Sequence, residues 1–283
     1  MLLIDLNQVL ISNLMQQIGS GGQKEELSES LIRHMVLNSL RSYIKQFKGK
    51  YGEVVVACDS KKYWRREFFP FYKSNRKKDR EKSGLDWNLI FETLNKIRDE
   101  LRDNFPYKVI EVEGAEADDI IGVLTTHVRD EEILILSSDK DFVQLQKYPN
   151  VTQYSPILKR YIKTDDPRKY VMEHIIRGDR GDGIPNFLSS DNVFAVGERQ
   201  KVINTKKLQE WMTQDYTVFC TTEQMLRGFK RNQQLVDLDY VPNDIRESII
   251  NTYEGAKPGN KQQLMNYFIE KRLTNLISVL DEF

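Results

Sequence analysis

Residues 114–142 read GAEADDIIGVLTTHVRDEEILILSSDKDF, and the fold and the chemistry both turn on this stretch. It opens with Glu116-Ala117-Asp118-Asp119, after which Ile120, Ile121, Val123 and Leu124 recur at helical spacing. It closes with Ile133-Leu134-Ile135-Leu136, a short apolar run bounded by charge and serine that reads as a buried strand, followed at once by Ser138-Asp139-Lys140-Asp141. Carboxylates at a helix start have a mundane use, because they offset exposed N–H groups and the macrodipole. Two aspartates just past a buried strand have no such use: like charges raise each other's pKa and cost stability unless a cation holds them. Oxygen-only ligands of this kind suit a hard ion such as Mg²⁺ or Mn²⁺.

Working outward, the same pattern recurs. Leu2-Leu3-Ile4-Asp5-Leu6 reads as a first strand, Val54-Val55-Val56-Ala57-Cys58 as a second with Asp59 directly behind it, and Val109-Ile110-Glu111-Val112 as a third leading to Glu116. Between them Leu27 to Phe47 and Trp87 to Leu101 carry apolar residues at helical period, the first helix ending at Gly49 or Gly52 and the second capped by Asp86. Gly19 to Gly22 reads as a loop. Strands alternating with helices predict an α/β fold with a mostly parallel sheet and helices on both faces, and such sheets bind ligands beyond the carboxyl ends of their strands. Four strand ends therefore deliver Asp5, Asp59, Glu116/Asp118 and Asp139/Asp141 to one rim.

After Tyr154 the character changes. Arg160 to Lys163 closes a small hairpin, Pro167 to Arg177 reads as a helix, and residues from Lys206 onward are mainly helical. Between them Gly178-Asp179-Arg180-Gly181-Asp182-Gly183 is dense in turn residues and adds Asp179 and Asp182; its glycines would let backbone approach a phosphate closely. The expected division is an α/β core over 1–165, with a basic segment at 61–84, and a mainly helical region over 166–283.

With 42 basic and 42 acidic side chains the chain has no net charge. The charges are segregated, however: Lys61 to Lys82 hold ten Lys or Arg against three Asp or Glu. Two cysteines are too few for a disulfide framework, and Cys58 reads as a small buried residue. No apolar run approaches the roughly 18 residues of a membrane helix, and the opening Met1-Leu2-Leu3-Ile4-Asp5 is no secretory signal, so a cytosolic chain is expected.

If the strand-end acids and the Asp179/Asp182 turn converge, divalent cations would offset the charge. Two ions would polarise a phosphodiester, supply hydroxide and stabilise the leaving oxygen. No histidine is required, which suits a chain with three (His34, His127, His174), none in an HExxH arrangement. Singly, each acid also has a bland use: Asp5 and Asp59 as turn formers, Glu116 and Asp119 as helix caps.

Leu3-Ile4-Asp5, Cys58-Asp59 with Tyr63-Trp64-Arg65-Arg66, Glu116-Ala117-Asp118-Asp119, Ser137-Ser138-Asp139-Lys140-Asp141-Phe142 and Gly178-Asp179 with Asp182 together resemble the 5′-nuclease, flap-endonuclease-like family, and within it the bacteriophage RNase H branch. The resemblance runs nearly the whole chain. It implies a two-metal 5′→3′ exonuclease and flap endonuclease on RNA–DNA and DNA–DNA duplexes, removing RNA primers from lagging-strand fragments. Asp5, Asp59, Glu116, Asp118 and Asp139 would hold the first Mg²⁺ and Asp141 and Asp182 serve the second, with Asp119 and Asp179 in support and Mn²⁺ able to substitute.

Under the same resemblance the basic segment becomes a helical arch over the site. Arg65, Arg66, Lys73, Arg76 and Lys77 would neutralise phosphates there, while Tyr63, Trp64, Phe68 and Tyr72 pack or stack, with core packing expected for Trp64 and Phe68. The turn after Asp182 would correspond to a helix–turn–helix element, with Arg199, Lys201, Lys206 and Lys207 on the duplex backbone. The family's potassium-binding Gly-x-Gly hairpin is not evident, Val196-Gly197-Glu198-Arg199 being the nearest substitute. The implied partners are branched or nicked duplex DNA, RNA–DNA hybrid and a single-stranded-DNA-binding protein; the short extension that docks a sliding clamp in some phage relatives is not found ahead of Leu2. A monomer in the infected host's cytoplasm is expected. Two other readings stand beside this one: a PIN-like ribonuclease, and a DNA-binding or scaffolding relative that has lost catalysis.

Overall fold

The computed structural model describes residues 1–20 and 28–283, without the side chains of residues 13, 16–20 and 77–79. Strands β1 (Leu2–Asp5), β2 (Val54–Cys58), β3 (Lys108–Glu111), β4 (Ile133–Leu136), β5 (Val151–Ser155) and β6 (Arg160–Ile162) form one sheet in the order β3-β2-β1-β4-β5-β6. All neighbours are parallel except the β5–β6 hairpin. The helices are α1 (Leu6–Ser20), α2 (Glu29–Tyr51), α3 (Trp64–Phe68), α4 (Arg76–Ser83), α5 (Trp87–Asn104), α6 (Ala117–His127), α7 (Pro167–Arg177), α8 (Thr205–Trp211), α9 (Tyr216–Phe219), α10 (Glu223–Val236), α11 (Asn243–Gly255), α12 (Lys261–Glu270) and α13 (Thr274–Ile277). Lys140–Lys147 is a 3₁₀ helix.

The strands are apolar without a break because both sheet faces are covered, yet the period of two still sorts their side chains. Leu2, Ile4, Val54, Val56, Leu134 and Leu136 join the cluster under α1, α2, α5 and α12. Leu3, Val55, Ala57, Ile133 and Ile135 join the cluster under α6 and α11. A third cluster ties Phe69 and Tyr72 to α7, α8 and α10. The C-terminal helices do not stand apart: α11 packs on β3 and α6, and α12 on α5.

Local signals set the boundaries. Ser28 caps α2 by accepting from the Leu31 N–H at 3.2 Å, and Gly52, at φ +76°, ends it. Asp166 caps α7 with Pro167 in its first turn. Of the loop expected at Gly19–Gly22, Gly19 and Ser20 instead end α1, and Gly21 and Gly22 lie outside the described residues. Residues 178–204 join α7 to α8 as successive turns, so a helix–turn–helix in the strict sense is not formed there.

The chain builds outward from β1 through β2 to β3, then returns to lay β4 on the other side of β1. That reversal opens a crevice beyond the carboxyl ends of β1 and β4, the place where ligands bind in open α/β sheets. Asp5 ends one of these strands and Asp139 follows the other. No helix among the described residues is long and apolar enough to cross a membrane.

Candidate active site

The crevice holds a cleft of about 800 Å³ into which Asp5, Asp59, Glu116, Asp118 and Asp139 all face. A second cavity of about 480 Å³ shares Asp139 and adds Asp141 and Asp179. The strand-end acids thus converge as their spacing predicts.

Each is held differently. The Gln8 N–H, at 3.2 Å, and the Ser137 hydroxyl, at 3.0 Å, donate to the buried Asp5 carboxylate. Asp59 accepts from Asn7 Nδ2 and from the Ala117 N–H, both at 2.8 Å, which ties the end of β2 to the first turn of α6. Asp139 accepts from the Asp141 N–H at 3.0 Å, opening the 3₁₀ helix. No donor among the described residues reaches the Asp118 carboxylate.

Burial, then the charges of Asp59 and Asp139, push the Asp5 carboxyl up to about 7. Burial and neighbouring Asp141 bring Asp139 to about 6, and burial and Asp139 hold Asp118 well above the usual carboxylate range. Among the described residues none of these three acids, all facing one cleft, has a contacting cation. Hard oxygen donors in that condition fit Mg²⁺ or a similar divalent ion.

Glu116 and Asp182, by contrast, are already neutralised by the protein. Lys73 Nζ sits 2.6 Å from Glu116 and 3.7 Å from Asp182, and Arg76 Nη2 is 2.6 Å from Asp182. The Tyr72 hydroxyl lies 3.1 Å from both carboxylates. The main chain fastens the two segments together, since the Lys73 N–H donates to the Asp182 carbonyl at 2.7 Å. Gly183, at φ +72°, makes that approach possible: a Cβ there would stand 2.7 Å from the Phe71 carbonyl oxygen. The room expected for a phosphate at this glycine is thus filled by the protein's own backbone.

Two placements depart from the sequence reading. Arg65 is not presented to a phosphate; only 2% of its side chain is exposed. Its guanidinium meets Glu116 at 3.0 Å, Asp119 at 2.7 Å and the Leu235 carbonyl at 2.9 Å. Asp119 is buried as well and accepts from the Glu116 N–H and the Trp64 indole, so it braces the α6 cap from behind. Phe68, expected in the core, is 43% exposed, whereas Trp64 is buried. Arg66 and Arg76 are exposed, and the Lys77 side chain lies outside the described residues. Arg199, Lys201, Lys206 and Lys207 are all exposed on the turn segment and α8.

His174 is the residue sequence reasoning missed. Its Nδ1 lies 3.2 Å from Asp141 and its Nε2 3.2 Å from Asp179, so that the three offer ligand atoms within 4.8 Å of one another. Burial alone would push the imidazole down, but the hydrogen bonds it donates to both carboxylates outweigh that and hold it at about 10. The His174 hydrogen bond in turn keeps Asp179 near 2. The only signal was His174 five residues before Asp179, too weak without knowing that Asp141 arrives from β4.

The model of the 5′-3′ exonuclease N-terminal resolvase-like domain matches residues 2–175, more than half of the chain. The chain belongs to the 5′–3′ exonuclease family. The C-terminal model of T4 RNase H covers residues 166–283 of this nuclease. The exonuclease chain is 35% identical over 292 residues to the ribonuclease H of Enterobacteria phage T4, covering 99% of this chain and 95% of the relative. It is 29% identical over 160 residues to a 5′-3′ exonuclease of Buchnera aphidicola, 53% of either chain. Among solved structures it resembles the bacteriophage T5 5′-exonuclease with bound zinc (TM-score 0.59, 18% identity, 91% of this chain and 99% of that one). It also resembles a T5 flap endonuclease in a pseudo-enzyme–product complex with DNA and metal ions (TM-score 0.57, 19% identity, 89% and 98%). At these identities the likeness speaks for the fold: a six-stranded, mostly parallel sheet with helices on both faces.

Proposed function

We propose that this nuclease is a Mg²⁺-dependent 5′→3′ exonuclease and flap endonuclease that hydrolyses phosphodiesters of RNA–DNA and DNA–DNA duplexes, removing RNA primers and 5′ flaps during lagging-strand replication. The observation that carries it is the convergence of Asp5, Asp118 and Asp139 on one cleft with their pKa values raised and, among the described residues, no contacting cation. Asp5, Asp59, Glu116, Asp118 and Asp139 would hold one ion, and Asp141 and Asp182 the other, with Asp179 in support. When bound, the ions polarise the phosphodiester, activate water and stabilise the leaving oxygen.

The protein's own residues do the rest. Lys73 and Arg76, now on Glu116 and Asp182, are placed to exchange those carboxylates for substrate phosphate as the acids take up ions. Arg66 lies beside Tyr63 on the cleft wall. Asp119 and Arg65 position Glu116 without touching the substrate. Arg199, Lys201, Lys206 and Lys207 would follow the duplex backbone. The chain acts as a monomer on branched or nicked duplexes in the cytoplasm of an infected cell, with a single-stranded-DNA-binding protein as a partner.

A 5′-labelled DNA flap and an RNA-primed duplex, each with Mg²⁺ and with EDTA, test the reading. Short 5′ products that vanish with EDTA support it, and their lengths separate flap cutting from exonuclease action. Structure-selective binding without cleavage would move the chain to a scaffolding role.

A further inference from the structure

The cleft that holds the carboxylates has an aromatic wall. Trp87 and Phe91 line it together with Asp5, Asp59 and Asp118. They stand one turn apart on α5, so they share a face, with ring centroids 5.5 Å apart and planes at 33°. The apolar period of α5 marks both as core residues, and they do pack against the cluster below. Neither is fully buried, however, and each keeps part of its surface on the cleft. The orientation of Trp87 is fixed, since its indole N–H donates to Ser83 Oγ at 2.7 Å, at the end of α4. Arg80, also on α4 and also lining the cleft, holds its guanidinium 5.5 Å from the Phe91 ring.

Rings that only filled a core would have no reason to share a cavity with the candidate metal-binding acids. The ligand whose chemistry matches a ring face, a guanidinium and a cation-loaded acidic cleft is a nucleotide with its base unpaired. Its flat π-face stacks on an aromatic ring whatever its sequence, and its phosphate takes the guanidinium. A base still paired in a duplex presents no free face. We propose that Trp87 and Phe91 form a stacking platform for an unpaired base of the substrate strand, with Arg80 beside it for the adjoining phosphate. This rests on the nuclease reading and deepens it, because it names the side chains that receive a base of the substrate strand.

The test measures kcat and KM with Mg²⁺ on two 5′-flap DNAs that differ only in the flap, one carrying bases and the other abasic residues throughout. Trp87→Ala should lower kcat/KM on the base-bearing flap roughly 5- to 100-fold, the range of one lost base–aromatic stack. On the abasic flap the variant and the wild type should be equal, because the partner of the ring is already gone. Trp87→Phe should restore most of the loss, and the slope of binding against salt should not change, since no phosphate contact is removed. An equal loss on both flaps would show that Trp87 only supports the fold, and no loss on either would remove it from the substrate path; both overturn the platform. If the wild type cuts neither flap, the nuclease reading itself fails, and the platform with it.

Discussion

The two sides of the acidic rim carry similar charge and solve it in opposite ways. On one side Asp5, Asp118 and Asp139 have raised pKa values and no contacting cation among the described residues. On the other, Glu116 and Asp182 are closed by Lys73, Arg76 and Tyr72, and Asp141 and Asp179 by His174. The difference teaches that clustered carboxylates do not by themselves define a metal site. What distinguishes the open side is like charge crowded in a place shielded from water, where a proton or an added ion must supply the balance.

The comparison breaks most visibly at Asp118. Asp118→Asn should cut the cleavage rate by roughly 10³-fold, the scale of losing a preorganised electrostatic contact to the reacting group. In EDTA it should melt higher than wild type, because a like charge has gone, and it should bind DNA as well or better. Equal cleavage by variant and wild type would remove Asp118 from the site.

On the closed side the effect moves from rate to stability. Arg65→Ala leaves Glu116 and Asp119 buried against each other and should cost about 3–5 kcal/mol in chemical denaturation. Gly183→Ala, which brings a Cβ against the Phe71 carbonyl at positive φ, should cost about 1–3 kcal/mol. A stable Gly183→Ala protein would mean that the turn and the arch are not locked as described.

The smallest effect, and the sharpest test of the contrast, is pH. In EDTA the raised acids bind more protons folded than unfolded, so their side should lose stability as pH rises from about 4 to about 7. Mg²⁺ should abolish that fall. His174, with its pKa raised to about 10, stabilises fully below its ordinary value near 6.5, and that contribution is lost as pH rises through 10. His174→Gln should flatten this second fall by a few degrees of melting temperature and leave the first one in place.

The open side was legible in the sequence because local patterns fix it. Buried strands announce themselves as apolar runs, and the residue after each run must lie on the rim, so Asp5, Asp59 and Asp139 could be placed by counting. The extent of α7 could be read to the residue from Asp166-Pro167 and Gly178 for the same reason. The closed side depends on pairings across long stretches of chain. Arg65 and Arg66 are neighbours with identical side chains, yet one is buried on Glu116 and the other is exposed, because only one faces the α6 cap and the Leu235 carbonyl. His174 finds Asp141 only after α7 packs on the 3₁₀ helix that follows β4. Trp87 and Phe91 illustrate a different limit: helical periodicity marks a ring as inward-facing but does not say whether the inside is core or cleft.

The main-chain bond between Lys73 and Asp182 has a consequence for the order of events during turnover. Because the backbone anchors Lys73 and Asp182, a strand that drew the Lys73 and Arg76 side chains away would leave Asp182 without a counter-ion and Glu116 with Arg65 alone, while holding Asp182 in place. The vacated carboxylates then bind an ion more tightly, and by reciprocity an ion that displaces those two cations makes them available to a strand. On the proposed reading, cation and substrate would therefore load as one cooperative unit, each raising the affinity for the other. Such a nuclease would stay idle in the presence of either alone.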